Sequence, residues 1–428
     1  MNIAGGKLLT TEQRQTVLEQ LSERVMHTIA HKKLSYQTVI DACDQLSMSI
    51  DESKYLRMLI DLGFDRTTAY ESLMQVKVML RRDSLLQKIC TELGEDYSKT
   101  RSYTPLHYDG LIVEQLVPLG VLLHIAAGNA DGLPVFSVIE GLLTGNINIL
   151  KLPEIGDPIS GQVLLDLLQI EPALADYVYV FDIPSTDTDA MKMMADAADA
   201  VIVWGSDAAV SAVRQLVHPN TKIIEWGHKV SFAYATMDGI NERSLRGLAQ
   251  HIRDTNQLLC SSCQGIFVDT ETIDDVYRFC ETFLPILDEV GRQHPFHIDI
   301  GLRAQITLQL QNESLETLYQ EKRIFRQGNC SVIASADREL TPGFMYRNCW
   351  VKPLPRKEIV HTLKPYKNHL QTVGLLCAEN ERAELAALFV KAGIVRVMRG
   401  KNMSAIYCGS PRDGEYALRR YTKIVSYE

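Results

Sequence analysis

The sequence predicts an α/β protein with a doubly wound, Rossmann-type cofactor domain, a second α/β catalytic domain and a helical N-terminal region. The main observation is an alternation of short β-rich runs with helical ones that begins near residue 107. Repeated strand–helix–strand units of this kind indicate a parallel sheet, and nucleotides bind at the carboxyl ends of its strands. The strands are expected at 121–125, 148–152, 177–181, 200–204 and 222–226, and the helices at 134–143, 159–168, 189–197 and 208–217.

Residues 1 to about 97 show helical periodicity instead. Thr10 or Thr11 is suited to cap a first helix, and Gly94 ends a long one expected from 65 to 94. The first helix places five apolar residues on one face, namely Val17, Leu18, Leu21, Val25 and Ile29. No chemistry is evident in this region, so we expect it to serve packing or oligomer contacts.

Four segments follow from these patterns. We expect a helical region at 1–100, a dinucleotide-binding domain at 101–228, a catalytic domain at 229–400 and a C-terminal segment at 401–428. Two strands, 111–117 and 121–125, flank a turn at 118–120. The catalytic domain should contain a strand at 265–268 and helices at 274–287 and 314–321. The C-terminal segment should return to the cofactor domain or to an oligomer interface.

Composition narrows the classes of function. The chain has 428 residues, and its net charge of -9 gives no electrostatic reason to expect nucleic acid or an anionic membrane as a partner. Nine cysteines, an odd number spread over a long chain, fit a reduced cytosolic setting. No apolar run approaches the ~20 residues of a membrane-spanning helix, and the first residues lack the regions of a signal peptide. We therefore expect a cytoplasmic protein.

One short stretch carries a candidate nucleophile. Cys260-Ser-Ser-Cys263 stands just ahead of the apolar run at 265–268. A thiol at a helix-to-strand junction can be exposed and ionised, as a nucleophile requires, whereas an isolated cysteine is more often a small buried hydrophobe. The Cys-x-x-Cys spacing also occurs in redox sites and in half of a zinc site. Because no second such pair occurs, no metal site is expected.

The chain contains no Gly-x-Gly-x-x-Gly, so a dinucleotide needs another phosphate site. The candidate is the predicted strand 201–204, which ends in Gly205-Ser206 at the start of a helix. Free N–H groups and the helix dipole would face a pyrophosphate there. A Gly-Ser helix start can equally be only a cap.

Four groups of residues occur one after another along the chain. They are Gly120-Val-Leu-Leu-His-Ile-Ala-Ala-Gly-Asn129 with Gly132-Leu-Pro134; Gly145-Asn-Ile-Asn-Ile-Leu-Lys151-Leu-Pro153-Glu154; Trp204-Gly-Ser206 with Ile224-Glu225-Trp-Gly227-His-Lys229; and Asn256-Gln257-Leu-Leu-Cys260. In this order and spacing they resemble the aldehyde dehydrogenase superfamily. Three further segments resemble the LuxC-type reductases of acyl-CoA and acyl-protein thioesters: 256–262, 371–375 and 393–397 with Asp413-Gly414.

The resemblance implies a role for individual residues. Cys260 corresponds to the nucleophile that forms an acyl-enzyme, Asn129 to the amide that binds the oxyanion with the Cys260 N–H, and Glu225 to the general base. The implied cofactor-binding residues are Ala126, Ala127, Lys151, Pro153, Glu154, Trp204, Gly205 and Ser206. Cys263 could be a resolving thiol or a neutral small residue, and His124 and His228 are expected to be structural or auxiliary.

The implied reaction is the NAD(P)H-dependent reduction of a fatty acyl thioester to an aldehyde. NADPH is the expected cofactor and NADH the alternative, because Lys151 would attract a 2′-phosphate and Glu154 would repel it. The expected substrates are acyl-CoA or an acyl-protein, with an acyl-transfer protein as a further partner and a homo-oligomer as the assembly. The chain departs from the wider superfamily at two places. A second acidic segment that simple aldehyde oxidisers contain is missing, and residues 346–352 stand in its place. The superfamily's Lys-Pro dipeptide is interrupted here by Leu152, between Lys151 and Pro153. Oxidation of free aldehydes and a non-catalytic acyl-binding subunit remain alternative functions.

Overall fold

The computed structural model describes residues 1–62, 64, 66–126, 133–153, 158–294, 300–316, 322–405 and 407–428. The chain divides into two compact units. Unit 1 comprises Met1–Gly227 and Tyr407–Glu428, and unit 2 comprises His228–Ile406. The C-terminal residues therefore pack with the first half of the chain.

The N-terminal region of unit 1 is mainly helical, but it starts with two short strands, β1 (Ile3–Ala4) and β2 (Lys7–Leu8). Thr10 caps the first helix through a reciprocal pair of hydrogen bonds with Gln13, and Gly94 ends the last one. Six helices lie between: α1 (Thr11–Glu19), α2 (Leu21–His31), α3 (Tyr36–Ser49), α4 (Glu52–Asp61), α5 (Arg66–Leu80) and α6 (Arg82–Leu93).

Two expected helices are each divided. The run expected from 65 to 94 breaks at Arg81, whose extended backbone precedes α6. The first apolar face is interrupted at Gln20, and Ile29 at its end is exposed, whereas Val17 and Leu21 are buried. Helical periodicity continues across both breaks, so the sequence pattern did not reveal them.

A seven-stranded sheet forms the core of unit 1, in the order β2-β1-β7-β6-β5-β8-β9. Its last five members are parallel, and apart from β9 they are almost wholly buried, which explains their mainly apolar sequences. The parallel strands are β5 (Val121–Ile125), β6 (Ile147–Lys151), β7 (Val178–Phe181), β8 (Ala200–Gly205) and β9 (Lys222–Gly227). The connecting helices are α7 (Leu133–Leu143), α8 (Pro158–Ile170), α9 (Thr188–Asp196) and α10 (Asp207–Leu216). The predicted doubly wound sheet is confirmed.

A second sheet of unit 1 has three antiparallel strands in the order β17-β4-β3. They are β3 (Arg101–Tyr103), β4 (Ile112–Pro118) and β17 (Thr422–Tyr427), the last preceded by the short helix α16 (Ala417–Arg420). The turn after β4 thus passes from this sheet to the parallel one, and β4 and β5 do not pair with each other.

Unit 2 contains another seven-stranded sheet, in the order β12-β13-β14-β11-β10-β15-β16, in which only β12 is antiparallel to its neighbour. The strands are β10 (Val230–Ala235), β11 (Cys263–Val268), β12 (Lys322–Gln327), β13 (Cys330–Ser335), β14 (Asn348–Pro353), β15 (Leu370–Leu376) and β16 (Arg396–Arg399). The helices are α11 (Glu242–Thr255), α12 (Ile273–Gln293), α13 (Ile300–Glu316), α14 (Ile359–Leu363) and α15 (Arg382–Ala392).

The helix expected at 314–321 begins earlier than predicted, because residues 314–316 belong to α13 (Ile300–Glu316). Residues 317–321 lie outside the described residues. No helix in the described part of the chain is long and apolar enough to cross a membrane.

Candidate active site

Cys260 lies in the connection between α11 and β11. The helix ends at Thr255, and the backbone of the capping residue Asn256 is left-handed at φ 43°. Gln257 is left-handed as well, at φ 63°. These two residues reverse the chain direction, and β11 then begins at Cys263. Residues 257–263, which we call the Cys260 loop, therefore carry Cys260 at their centre, and this residue is exposed.

The fully buried side chain of Gln257 closes the Cys260 loop. Its Nε2 donates hydrogen bonds to the carbonyl oxygens of Cys263 at 2.8 Å and Asn348 at 3.3 Å. Its Oε1 accepts from the backbone N–H groups of Arg347 at 2.9 Å and Asn348 at 3.2 Å. One amide thus joins both ends of the loop to the start of β14 and uses its full hydrogen-bonding capacity.

The segment that Gln257 contacts has an unusual backbone. Met345, Tyr346 and Arg347 are consecutive left-handed residues, with φ of 60°, 49° and 69°. Such conformations cost on the order of 1–3 kcal/mol each in residues other than glycine, and they concentrate at functional sites. The backbone N–H of Tyr346 also donates to the carbonyl oxygen of Asn256 at 2.9 Å. Met345-Tyr-Arg347 contains no residue type that predicts a left-handed turn, so the sequence did not indicate it.

Cys263 has the opposite environment to Cys260. It is fully buried in the core of unit 2, and burial raises the pKa of its thiol to about 12. Its Sγ contacts the carbonyl oxygen of Gly265 at 3.2 Å. A buried, protonated thiol is a poor nucleophile and a poor resolving thiol. The burial of Cys263 therefore favours a neutral small residue over a resolving thiol.

The carboxyl ends of the parallel strands in unit 1 bring several predicted cofactor residues to one edge of the sheet. Ala126 follows β5, while Lys151 ends β6 and is followed by Pro153. The chain runs outward from β5 to β7 and then returns to β8 beside β5. This reversal is the topological switch point at which open α/β sheets bind ligands. Lys151 is buried, and its Nζ donates to Ser185 Oγ at 3.0 Å.

The end of β8 supplies the other predicted cofactor residues. Trp204 and Gly205 are its last residues, and Ser206 caps α10, its Oγ accepting from the N–H of Ala209. This arrangement presents the start of a ten-residue helix at the same sheet edge. The Trp204 ring is tilted against that of Trp226, with ring centroids 5.6 Å apart.

Glu225 lies on β9, one residue before Trp226, and forms an ion pair with Arg214 of α10. Arg214 is 60 % exposed, so water weakens the pair, which is worth no more than about 1 kcal/mol. Buried His124 bonds instead to Ser137 Oγ and Asn148 Oδ1, at 2.7 and 3.0 Å, which is a structural role.

Three predicted site residues, Ala127, Asn129 and Glu154, lie outside the described residues. Of the others, unit 1 brings Ala126, Lys151, Pro153, Trp204, Gly205 and Ser206 to the carboxyl ends of its parallel strands and carries Glu225 on β9. Unit 2 holds Cys260. The described residues contain no group of three or more His, Cys, Asp or Glu side chains arranged to hold a metal ion.

Comparison with known proteins adds to this geometry. A sequence profile of the family described as acyl-CoA reductase (LuxC) matches residues 31–424. The chain belongs to this family. The LuxC-family chain is 23% identical over 389 residues to the long-chain acyl-protein thioester reductase of Vibrio harveyi, covering 87% of this chain and 77% of that one. It is 25% identical over 334 residues to the protein of the same name from Aliivibrio fischeri, covering 73% and 64%.

Solved structures show the fold of this LuxC-family chain. It superimposes on apo betaine aldehyde dehydrogenase from Staphylococcus aureus with a TM-score of 0.74 at 14% identity, covering 99% of this chain and 91% of that one. Aldehyde dehydrogenase 21 from Physcomitrella patens gives a TM-score of 0.72 at 11% identity, covering 100% and 94%. The predicted aldehyde dehydrogenase-like fold and the predicted family are both confirmed.

Proposed function

We propose that this chain reduces a fatty acyl thioester, either acyl-CoA or acyl-protein, to an aldehyde through an acyl-cysteine on Cys260. The observation that carries the proposal is the contrast between an exposed Cys260 and a fully buried Cys263 in a member of the acyl-CoA reductase family. The family supports the reaction, and the exposed loop supports the choice of thiol.

In the first step, the Cys260 thiolate attacks the thioester carbonyl carbon. The tetrahedral oxyanion is bound by the Cys260 backbone N–H and by the side-chain amide of Asn129. The bond from that carbon to the sulfur of the acyl donor then breaks. The donor's thiol leaves with the electron pair and takes up a proton. The acyl group remains on Cys260.

Apolar side chains beside the nucleophile are suited to the acyl chain. Leu258 and Leu259 directly precede Cys260 and are 45% and 42% exposed, although leucine is ordinarily buried. Covering them with an alkyl chain contributes roughly 0.8 kcal/mol per buried methylene. The Cys260 loop thus offers both a nucleophile and an apolar surface, which fits a fatty acyl group.

The residues at the carboxyl edge of the unit 1 sheet fit a nicotinamide dinucleotide. The helix start at Ser206 would bind the pyrophosphate, with Ala126, Ala127, Gly205 and Trp204 around it. Lys151, Pro153 and Glu154 would contact the adenosine ribose. When bound, the reduced nicotinamide would supply a hydride to the acyl carbon. The resulting thiohemiacetal oxyanion, on Cys260, would re-form its C=O bond as the C–S bond breaks, so that Cys260 leaves as thiolate and the aldehyde is released.

The proposed cofactor is NADPH, because Lys151 offers a cation to a 2′-phosphate that carries about two negative charges. Glu154 opposes this preference, so Glu154→Gln should tighten NADPH binding modestly and change NADH little. Comparing kcat/KM for both cofactors in the wild type and the variant tests the choice. A wild-type preference for NADH that weakens in the variant would contradict it.

A second function is available to the same residues. If Glu225 activates water, the acyl-cysteine is hydrolysed and the chain oxidises free aldehydes. The match to the acyl-CoA reductase family supports reduction of a thioester, and we therefore favour reduction.

A homo-oligomer and an acyl-transfer partner protein complete the proposal. Light scattering would test the first, and pull-down with the acyl donor would test the second.

Activity assays with the purified protein distinguish these functions. NADPH consumption is followed with acyl-CoAs of increasing length and with an acyl-protein, and the aldehyde is trapped and quantified. The reverse assay supplies aldehyde and oxidised cofactor with and without CoA. One aldehyde per NADPH consumed supports reduction, whereas CoA-independent acid formation without thioester turnover would contradict it. A protein that acyl thioesters neither label nor turn over would be a non-catalytic subunit.

A further inference from the structure

Ser231 is a fully buried residue near the start of β10 that contacts the backbone of Cys260. Its Oγ donates a hydrogen bond to the carbonyl oxygen of Cys260 at 2.6 Å and accepts one from the N–H of Thr372 at 3.1 Å. The bond from β15 holds the hydroxyl oxygen in place, so its single proton is directed to Cys260. A hydroxyl that fixes the carbonyl of a candidate nucleophile has more than a packing role.

The strand ladder is irregular where Ser231 lies. The pairing of β10 shifts register against β11 between Ser231 and Ala233, and against β15 between Val230 and Phe232. β-Bulges are over-represented next to active sites, where they re-aim a side chain. Here the irregularity coincides with the residue that reaches the Cys260 loop.

The peptide group before Cys260 is also held. The backbone N–H of Ser262 donates to the carbonyl oxygen of Leu259 at 2.9 Å, and the N–H of Leu259 donates to Ser262 Oγ at 3.0 Å. In a planar trans peptide the C=O and N–H bonds point in opposite directions. Fixing the Leu259 carbonyl toward Ser262 therefore aims the Cys260 N–H away from Ser262. Ser231 fixes the following peptide, so both peptide groups of Cys260 have a set direction.

We propose that Ser231 and Gln257 are positioning residues for Cys260. Ser231 orients the Cys260 backbone, and Gln257 closes the loop so that the Cys260 N–H meets the oxygen of a bound thioester. Neither side chain touches the substrate. The inference rests on the proposed function in that it takes Cys260 as the residue that is acylated.

Acylation and alkylation of Cys260 respond differently to positioning. Attack on a thioester develops an oxyanion and needs the aimed N–H, whereas alkylation by iodoacetamide needs only an accessible thiolate. The test measures single-turnover acylation by hexadecanoyl-CoA and alkylation by iodoacetamide in the full-length protein. A general structural defect would change both rates, but a positioning defect changes the first alone.

The variants are Ser231→Ala and Gln257→Met, with Ser231→Thr as the rescue that retains the hydroxyl. Thr236→Val is the matched control, because Thr236 directly follows the other end of β10 and is a buried hydroxyl that bonds to Glu381. We expect acylation by Ser231→Ala and Gln257→Met to slow by between about tenfold and a hundredfold. Alkylation should stay within about twofold, while Ser231→Thr recovers most of the acylation rate and Thr236→Val leaves both rates unchanged.

Three outcomes would overturn the inference. Acylation that is unchanged in both Ser231→Ala and Gln257→Met shows that neither side chain positions Cys260. Parallel losses of acylation and alkylation show a merely structural role. A wild-type protein that iodoacetamide alkylates but that neither acyl-CoA nor an acyl-protein acylates overturns the proposed function as well, which separates that failure from the first two.

Discussion

The backbone N–H of Cys263 donates a hydrogen bond to Nε2 of His251 at 3.2 Å. This nitrogen must therefore be unprotonated, so the buried His251 is neutral in the folded protein. Burial lowers the pKa of His251 to about 4, and it does the same to that of His124 in unit 1. Protonation of either histidine at low pH should consequently lower the free energy of unfolding.

Stability should fall as the pH is lowered from about 6.5 to about 4. Above this window both folded and unfolded histidines are neutral, and inside it the unfolded state binds more protons. Each histidine accounts for up to about 3 kcal/mol by the lower end. Urea unfolding at several pH values measures the slope, and His251→Gln should make it shallower. An equal slope in wild type and variant would contradict the assignment.

A buried charge network in unit 1 supports a second prediction. Glu140 lies between Lys88 of α6, at 3.0 Å, and Arg412, at 3.3 Å. Although burial alone would raise the pKa of Glu140, Arg412 and Lys88 hold it below its usual value. Arg412 also lies over the Trp204 ring, 4.5 Å from its centroid. The network ties the C-terminal residues to the helices of unit 1.

Lys88 also pairs with the buried Glu92. Glu140→Gln should destabilise the protein by roughly 3 kcal/mol, because it leaves Lys88 and Arg412 with Glu92 as the remaining buried carboxylate near both. The control is Glu415→Gln, which removes a carboxylate from an exposed pair with Arg420 and should cost no more than about 1 kcal/mol. Urea denaturation of both variants measures the difference. Equal losses would show that the buried network contributes no more than a surface pair.

Gly265 of β11 makes a third prediction possible. It pairs with Trp350 of β14, and a Cβ at this glycine would lie 2.0–2.4 Å from ring atoms of Trp350. Gly265→Ala should therefore cost about 3 kcal/mol or more in thermal or urea unfolding. Gly227→Ala, where a Cβ meets nothing within 4 Å, should change stability by less than about 1 kcal/mol. Similar effects at the two glycines would contradict this packing.

Asn129→Ala tests the proposed oxyanion site. The amide acts on charge that develops in the transition state, so kcat should fall by about 10²–10³ with a smaller change in KM. Steady-state kinetics with a single acyl-CoA measures both constants. A change confined to KM would show that Asn129 positions the substrate instead.

The sequence predicted the five parallel strands of unit 1 better than the other strands, because β11 was the one strand predicted among the seven described in the unit 2 sheet. Buried parallel strands such as β7, Val178-Tyr-Val-Phe181, are nearly continuous apolar runs, so periodicity and length identify them. Helix α13 was misplaced because its side chains are largely exposed, with Ile306 and Leu310 as its buried contacts, which leaves a weak amphipathic pattern. Breaks at Gln20 and Arg81 carry no glycine or proline and gave no signal.

The candidate site shows the same division. The order and spacing of the motifs, which can be read directly from the sequence, identified Cys260 and the sheet edge of unit 1 as candidates. Ser231 and the left-handed turn at Met345 were not predictable. Their roles depend on β10, β11 and β14 being neighbours in one sheet, which no local pattern of residues records.

Covalent labelling tests most directly whether Cys260 carries the acyl group. Intact-protein mass spectrometry after mixing with hexadecanoyl-CoA, without reduced cofactor, should show one acyl adduct that peptide mapping places on Cys260. The adduct should be absent from Cys260→Ala, present in Cys263→Ala, and discharged as aldehyde when NADPH is added. An adduct that persists in Cys260→Ala, or that maps to Cys263, would contradict the account.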